Sequence, residues 1–225
     1  MFEMKKLLHI ILMVLGAGCV SCSAGDFYLD SPDNYESSTP IDATIIATVK
    51  QDEGGVYLWS KGERLNPVKS IDFSRQQRVM ASVTKYFREE SVYSADIHWM
   101  EPLDEGNFTY SASAPGSDPL DVNTSSWMTG VDDGYLTLSY VAKWGEHPLH
   151  HDFYLVAGLD KNDPYSLELR HNANGDKAFE SAEGLICFDI NSLPDTVGES
   201  KTITIKWKNT EGKTSITKFE FTSRK

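Results

Sequence analysis

Residues 202–208, Thr-Ile-Thr-Ile-Lys-Trp-Lys, alternate polar and apolar side chains along their whole length. Because successive side chains of a β-strand point to opposite faces, this alternation predicts a strand with Ile203, Ile205 and Trp207 on its buried face. Residues 217–222, Thr-Lys-Phe-Glu-Phe-Thr, alternate in the same way, and Asn-Thr-Glu-Gly at 209–212 supplies turn residues between the two runs. The C-terminal part of the chain is therefore predicted to form a β-hairpin.

Similar short runs, separated by turn residues, occupy most of the remaining sequence. They lie at residues 43–50, 56–60, 78–86 and 91–100, and then at 134–144, 152–159, 165–171 and 185–190. No long stretch has a helical period, so the pattern predicts an all-β protein. We expect a small β-barrel or meander at 41–110 and an antiparallel β-sandwich at 125–225.

The pattern weakens between residues 102 and 124. Residues 111–119, Ser-Ala-Ser-Ala-Pro-Gly-Ser-Asp-Pro, are rich in the small and turn-forming residues that interrupt regular structure. This composition favours a linker at 111–124 between the two domains.

The N-terminus has the order of features found in secretory signals. Lys5 and Lys6 precede an apolar run at 7–15 that is too short to span a bilayer, and small residues follow it. Cys22 then stands where such a signal is cut, with Cys19 as the alternative, and this arrangement resembles a bacterial lipoprotein box. We expect a signal peptide at 1–21, a lipid anchor on Cys22 and a polar tether at 22–40.

Charge and motif content exclude several classes of function. The chain has 225 residues, and 21 Lys and Arg against 33 Asp and Glu give a formal net charge of −12, which argues against a nucleic-acid partner. Nucleophile elbows, zinc-protease motifs and phosphate loops are missing from the sequence, so neither a catalytic residue nor a cofactor is predicted. Cys187 lies in an apolar run and is predicted to be a buried, inert thiol.

Two segments of the second half resemble the NigD-like lipoproteins of Bacteroidetes. They are residues 167–176, Leu-Glu-Leu-Arg-His-Asn-Ala-Asn-Gly-Asp, and residues 184–193, Gly-Leu-Ile-Cys-Phe-Asp-Ile-Asn-Ser-Leu. In the first half, Val-Tyr-Leu-Trp at 56–59 followed by Leu-Asn-Pro at 65–67 is similar to a hairpin of the same family. The resemblance implies a lipoprotein signal, an OB-like β-barrel and an immunoglobulin-like β-sandwich. The chain lacks the acidic run that often follows the anchor Cys, so both the cell surface and the periplasmic face of the outer membrane stay open.

Candidate binding residues come from the aromatic and histidine content. Trp59 and Trp144 are the candidates for a ligand contact, because aromatic rings near loops commonly stack on sugars or peptide side chains. Filling of the two domain cores is the alternative role for the aromatic residues. His147 belongs to Glu-His-Pro-Leu-His-His-Asp at 146–152, which contains ligand types that zinc accepts. Neighbouring side chains of a loop point in different directions, so we expect a solvated hairpin loop and no metal site. Asp132 and Asp133 are predicted to form a turn.

Three functions remain as hypotheses. The first is a lipid-anchored, non-catalytic module of the cell envelope that binds an unidentified protein or glycan and contacts the membrane through its lipid. The second is a bacteriocin immunity or inhibitor-type lipoprotein, by analogy with the operon that names the family. The third is a metal-dependent secreted hydrolase that uses the His147 loop.

Overall fold

A computed structural model describes residues 39–224 of the chain. Within that range the backbone forms fifteen β-strands and no helix, which confirms the predicted all-β class. No helix in these residues is therefore long and apolar enough to cross a membrane.

The first five strands close into a small barrel. They are β1 (Ile41–Asp52), β2 (Gly55–Ser60), β3 (Glu63–Pro67), β4 (Gln77–Glu89) and β5 (Val92–Pro102). They pair in the order β1-β2-β3-β5-β4, with β4 returning to β1, and the β3–β5 pair is parallel. The alternating runs predicted these strands because every second side chain points into the barrel. The barrel core consists of Ala47, Val49, Leu58, Leu65, Val79, Ala81, Val83 and Ala95.

The remaining strands form the two sheets of a β-sandwich. They are β6 (Asp104–Glu105), β7 (Asn107–Thr109), β8 (Leu120–Val122), β9 (Gly130–Asp132), β10 (Tyr135–Trp144), β11 (Asp152–Val156), β12 (Ser166–Asn172), β13 (Glu180–Asp189), β14 (Lys201–Lys208) and β15 (Thr214–Phe221). One sheet has the order β6-β13-β10-β8, with β9 also paired to β10, and the other has the order β15-β14-β12-β11-β7.

The sandwich core is formed by the apolar faces that the sequence predicted. Ile203, Ile205 and Trp207 of β14 are buried in one cluster with Leu136, Leu138 and Phe188 of the facing sheet. The predicted sandwich is thus confirmed, and β14 and β15 form the predicted hairpin. Most strand pairs are antiparallel, whereas β13–β6, β11–β7 and β12–β14 are parallel.

The sequence predicted a barrel domain at 41–110 and a linker at 111–124. The structure instead has short strands between residues 102 and 124 that pair with strands of the sandwich. β6 and β7 already pair with sandwich strands, and β8 lies inside the predicted linker and pairs with β10. The Arg170 guanidinium donates to the carbonyl oxygens of Ala112 and Ala114 at 2.9 and 2.6 Å. Side chains from distant strands therefore fix this segment, although its own composition is that of a loop.

One turn of the sandwich lies against the barrel. Residues 132–134, which we call the junction turn, connect β9 to β10, as predicted for Asp132 and Asp133. Asp133 and Gly134 have positive φ angles of 50° and 73°. A Cβ on Gly134 would collide with the amide group of Asn191, so only glycine fits there without displacement.

Cations of the barrel hold the two carboxylates of the junction turn. The Arg78 guanidinium donates to Asp132 Oδ2 at 2.9 Å, and the Lys50 ammonium donates to Asp133 Oδ1 at 2.9 Å. Arg78 also donates to Thr48 Oγ1 at 2.8 Å, and the side chains of Arg78 and Asp133 are both buried. A buried charge without its partner is costly, so these pairs fix the barrel against the sandwich.

Replacing Arg78 by Met is expected to destabilise the protein by about 3–5 kcal/mol, because Asp132 would lose the cation that compensates its partial burial. Urea unfolding measures this loss. The control is Lys213→Met, which breaks the exposed Lys213–Glu211 pair and should cost less than about 1 kcal/mol. Adding Asp132→Asn to Arg78→Met should recover part of the lost stability. If Arg78→Met cost no more stability than Lys213→Met, this role of the turn would be contradicted.

Candidate functional site

Two loops meet at one end of the sandwich. Residues 145–151 connect β10 to β11, and residues 173–179 connect β12 to β13; together we call them the loop end. The Asp176 carboxylate joins the loops, because its Oδ2 accepts hydrogen bonds from the backbone N–H groups of Gly145 at 3.0 Å and Leu149 at 3.2 Å. A Cβ on Gly145 would collide with this carboxylate. The loop between β10 and β11 is thus ordered by a side chain of the other loop.

Two buried histidines continue the hydrogen-bond chain from Asp176 into the sandwich. His151 Nε2 lies 3.1 Å from Asp176 Oδ2, and His151 Nδ1 lies 2.8 Å from His171 Nε2. With Asp176 ionised, His151 donates to it through Nε2, so the His151 Nδ1 of a neutral ring can accept from His171 Nε2. His171 Nδ1 is buried without a well-formed hydrogen bond among the described residues.

Aromatic rings enclose the two imidazoles. Trp144 stacks on His151 with ring centroids 3.7 Å apart and planes inclined by 8°, and Phe153 stacks on His171 at 4.9 Å and 15°. Both histidines are buried, and Trp144 packs against the sandwich core. The stack therefore supports the loops from inside the protein.

Burial and hydrogen bonding set the charge states of this chain. Burial lowers the pKa of His151. Burial also lowers the pKa of His171, and the neighbouring His151 imidazole adds to this lowering. The hydrogen bond from the Gly145 N–H group lowers the pKa of Asp176. At neutral pH the chain thus consists of one carboxylate and two neutral imidazoles.

The structure separates the side chains of the predicted histidine loop. His147 and His150 are exposed, and His150 lies 3.3 Å from Asp152, whereas His151 points inward to Asp176. The imidazoles do not converge on one point, and the described residues include no group of three or more His, Cys, Asp or Glu that could hold a metal ion.

The two predicted tryptophans lie in different parts of the molecule. Trp144 is half-buried, and His151 covers one face of its ring. Trp59 is a partly buried residue of β2, and the Lys50 ammonium, which pairs with Asp133, lies 5.7 Å from its ring centroid. Trp59 is thus beside the junction turn at the start of β10, about 30 Å of strand away from Trp144 at its end. The predicted anchor residues, Cys22 and Cys19, lie outside the described residues.

Sequence reasoning missed the exposed apolar side chains of the loop end. Phe179 is 70% exposed and Leu149 is 49% exposed. The Phe179 N–H group donates to the Trp144 carbonyl at 2.8 Å, so Phe179 is adjacent to the stacked ring. A single Phe in the polar stretch at 173–183 was the available signal. Its proximity to Trp144 depends on the pairing of β10 with β13, which the local sequence does not reveal.

The closed barrel and the two sheets that follow it define an all-β protein with a barrel and a sandwich. The family model of the NigD-like C-terminal beta sandwich domain matches residues 102–221. The chain therefore belongs to the NigD-like family, as the sequence resemblance predicted. A search of curated proteins found no match.

Solved structures from related bacteria share the fold over most of the chain. A Parabacteroides distasonis protein whose name relates it to a toxin is 24% identical, with a TM-score of 0.66, covering 81% of this chain and 94% of its own. A NigD-like immunity protein from Bacteroides caccae is 21% identical, with a TM-score of 0.58 and coverages of 84% and 99%. A Bacteroides fragilis protein named as a lipoprotein is 13% identical, with a TM-score of 0.57 and coverages of 82% and 100%.

The histidine chain predicts a pH dependence of stability. Because the folded state lowers both histidine pKa values, the unfolded state binds more protons below about pH 6.5, and stability is lost as the pH falls through that range. We expect a loss of up to about 1 kcal/mol per pH unit for each histidine, and little change from this source above pH 7 or so.

Urea unfolding at several pH values between about 7.5 and 5.5 measures this loss. His171→Gln keeps an N–H donor facing His151 but cannot titrate, so its slope with pH should be smaller than that of the wild type. His150→Gln removes an exposed imidazole and should leave the slope unchanged. A wild-type slope in the His171→Gln variant would contradict the assignment.

Proposed function

We propose that this NigD-like protein is a lipid-anchored, non-catalytic protein of the cell envelope that binds a protein or glycan ligand through the loop end. Exposed apolar side chains on ordered loops are the main support for this proposal. Phe179 and Leu149 face solvent, while the Asp176 carboxylate of one loop accepts hydrogen bonds from the backbone of the other. A surface whose loops are ordered before binding loses less conformational entropy when a ligand binds.

The state of the ionisable groups at the loop end supports a non-catalytic role. His151 and His171 are buried, so neither imidazole can reach a substrate in solution. Asp176 Oδ2 already accepts from two backbone N–H groups and His151, so this oxygen is engaged. A general base needs an accessible lone pair within hydrogen-bond reach of its substrate. The histidines and the carboxylate therefore act as supports for the loops.

The proposed envelope location rests on the N-terminal sequence and on the relatives. Residues 1–22 have the order of a lipoprotein signal that ends in a candidate anchor Cys. The relative from Bacteroides fragilis is named as a lipoprotein. We infer an outer-membrane lipoprotein, with its cell-surface or periplasmic orientation to be assigned by protease digestion of intact cells.

The second candidate function is bacteriocin immunity or inhibition. The similar fold of the NigD-like immunity protein from Bacteroides caccae favours it over other binding functions. An immunity protein binds a toxin with high specificity, and the loop end would serve that purpose with the same exposed side chains. The two candidates differ in the partner they predict: a component of the cell's own envelope or a secreted antibacterial protein of a neighbouring strain.

Removal of the anchor thiol tests the lipid attachment. Cys22→Ala is expected to abolish labelled-palmitate incorporation and to move the protein from the membrane fraction to the soluble fraction, because the acylated thiol is lost. Cys19→Ala is the matched control and should leave both readouts unchanged. Loss of labelling in Cys19→Ala alone would place the anchor at Cys19, and unchanged labelling in the double variant would refute a lipoprotein.

Site-specific photo-crosslinking tests ligand binding at the loop end. A photo-reactive phenylalanine at position 179 is expected to give a discrete adduct in the producing cells, because Phe179 lies at the proposed contact. The same group at Ile216, which is 57% exposed on β15, is the control and should give none. Leu149→Ser should weaken the adduct at position 179 by removing a second exposed apolar side chain of the loop end.

The identity of the crosslinked partner separates the two candidate functions. An envelope protein or glycan of the same cell supports the first, and an antibacterial protein supplied by a competing strain supports the second. Equal adducts at positions 179 and 216, or none at either, would refute a binding function of the loop end.

A further inference from the structure

The hairpin between β4 and β5 extends past the point where the described chain begins. Ile41, the first residue of β1, pairs with Lys85 of β4, and β4 continues to Glu89 before the turn into β5. Residues 86–92, which we call the hairpin tip, therefore lie beyond the first strand pair of the barrel. The segment that precedes the barrel joins it directly beside this tip.

Apolar and aromatic side chains cover the hairpin tip. Phe87 is 48% exposed and Ile41 is 50% exposed, and Tyr86 is also exposed. Phe87 contacts Tyr93 edge to face, with ring centroids 5.9 Å apart, so the two rings form a small ordered cluster. Tyrosine rings such as Tyr86 are amphipathic and are enriched where proteins meet the headgroup region of a bilayer, and the Phe87 ring adds apolar surface beside it.

The hairpin tip has no excess of cations. Residues 86–92 contain one cation, Arg88, and two anions, Glu89 and Glu90. The Arg88 guanidinium donates to Ser94 Oγ at 2.7 Å, and the neighbouring Lys85 pairs with Glu63 at 2.7 Å. The tip therefore offers a partner its apolar and aromatic surface and no cationic patch for an anionic one.

The position of the candidate anchor along the chain relates this tip to a membrane. Cys22 precedes Pro40 by 18 residues, a length of chain that cannot exceed about 65 Å. The junction with the sandwich is at Arg78, nine residues and about 30 Å of strand from Phe87. A chain anchored at Cys22 therefore enters the barrel at the end that carries the hairpin tip, and the junction with the sandwich lies at the other end of β4.

We propose that the hairpin tip, together with Ile41, lies in the headgroup region of an uncharged lipid surface when the protein is anchored. This inference rests on the lipid anchor proposed above. Tyr86 and Phe87 provide the rings that insert between headgroups, and Ile41 adds apolar surface next to the tether. Contact at this second position limits the orientations of the barrel relative to the membrane.

A fluorescent probe on the acylated full chain tests the inserted tip. Phe87→Cys is labelled with an environment-sensitive dye, and the protein is placed in vesicles of phosphatidylcholine and phosphatidylethanolamine. Burial raises the pKa of the Cys187 thiol to about 12, so dye attachment at position 87 is selective. Ile216→Cys provides a probe of similar exposure on the sandwich, and Tyr86→Cys replaces Phe87→Cys if the latter fails to fold.

The expected result is loss of emission at position 87 when nitroxide lipids are added, together with protection from aqueous iodide. The probe at position 216 should show the reverse. Replacing part of the phosphatidylcholine by phosphatidylglycerol should not increase the quenching at position 87, because the tip has no excess of cations to attract an anionic lipid.

Three outcomes separate failure of this inference from failure of the anchor. Iodide quenching at position 87 equal to that at 216, on protein shown to be acylated, would overturn the inserted tip and leave the anchor standing. Protection from both quenchers would also overturn it, because residues 22–40 would then cover the tip. Protein without an acyl chain that remains outside the membrane fraction would refute the anchor itself.

Discussion

The pairing of the junction-turn carboxylates with barrel cations is the interaction on which the two-domain structure depends. The barrel and the sandwich have separate apolar cores, so burial of apolar surface alone explains each domain but not their arrangement. Asp133 is buried beside Lys50, and Asp132 accepts from the buried guanidinium of Arg78. Because desolvated charges are stable only with their partners, this contact specifies one orientation of the barrel against the sandwich.

This contact also relates the two proposed functional surfaces. Arg78 lies near the start of β4, and the far end of β4 forms the hairpin tip. Tyr135 follows the junction turn and begins β10, which ends at Trp144 beside the loop end. Each surface is thus about one long strand away from the junction. The proposed membrane contact therefore belongs to the barrel and the proposed ligand contact to the sandwich.

The sequence predicted strands well where alternation was regular and failed where contacts between distant segments decide the structure. Ile203, Ile205 and Trp207 are buried as the period of two requires, and the junction turn is a turn as its composition requires. Leu120, in contrast, lies in a segment rich in Ser, Pro and Gly, yet it is buried because β8 pairs with β10. The Asp176–His151–His171 chain joins two loops, so the local pattern placed all loop histidines in solvent, which is wrong for His151. The predicted ligand contacts of Trp59, Trp144 and His147 stay predictions. Trp59 lies on β2 of the barrel, whereas Trp144 is the last residue of β10 in the sandwich.

Native-state hydrogen exchange tests most directly whether the junction turn makes the barrel and the sandwich one cooperative unit. We expect the core amides of β4 and of β10 to exchange with the same opening free energy in the wild type. Asp133→Asn should lower the opening free energy of the β4 amides more than that of the β10 amides. Opening free energies that differ between β4 and β10 in the wild type and do not change with Asp133→Asn would contradict this role of the junction turn. The barrel would then unfold independently of the ion pairs that join it to the sandwich.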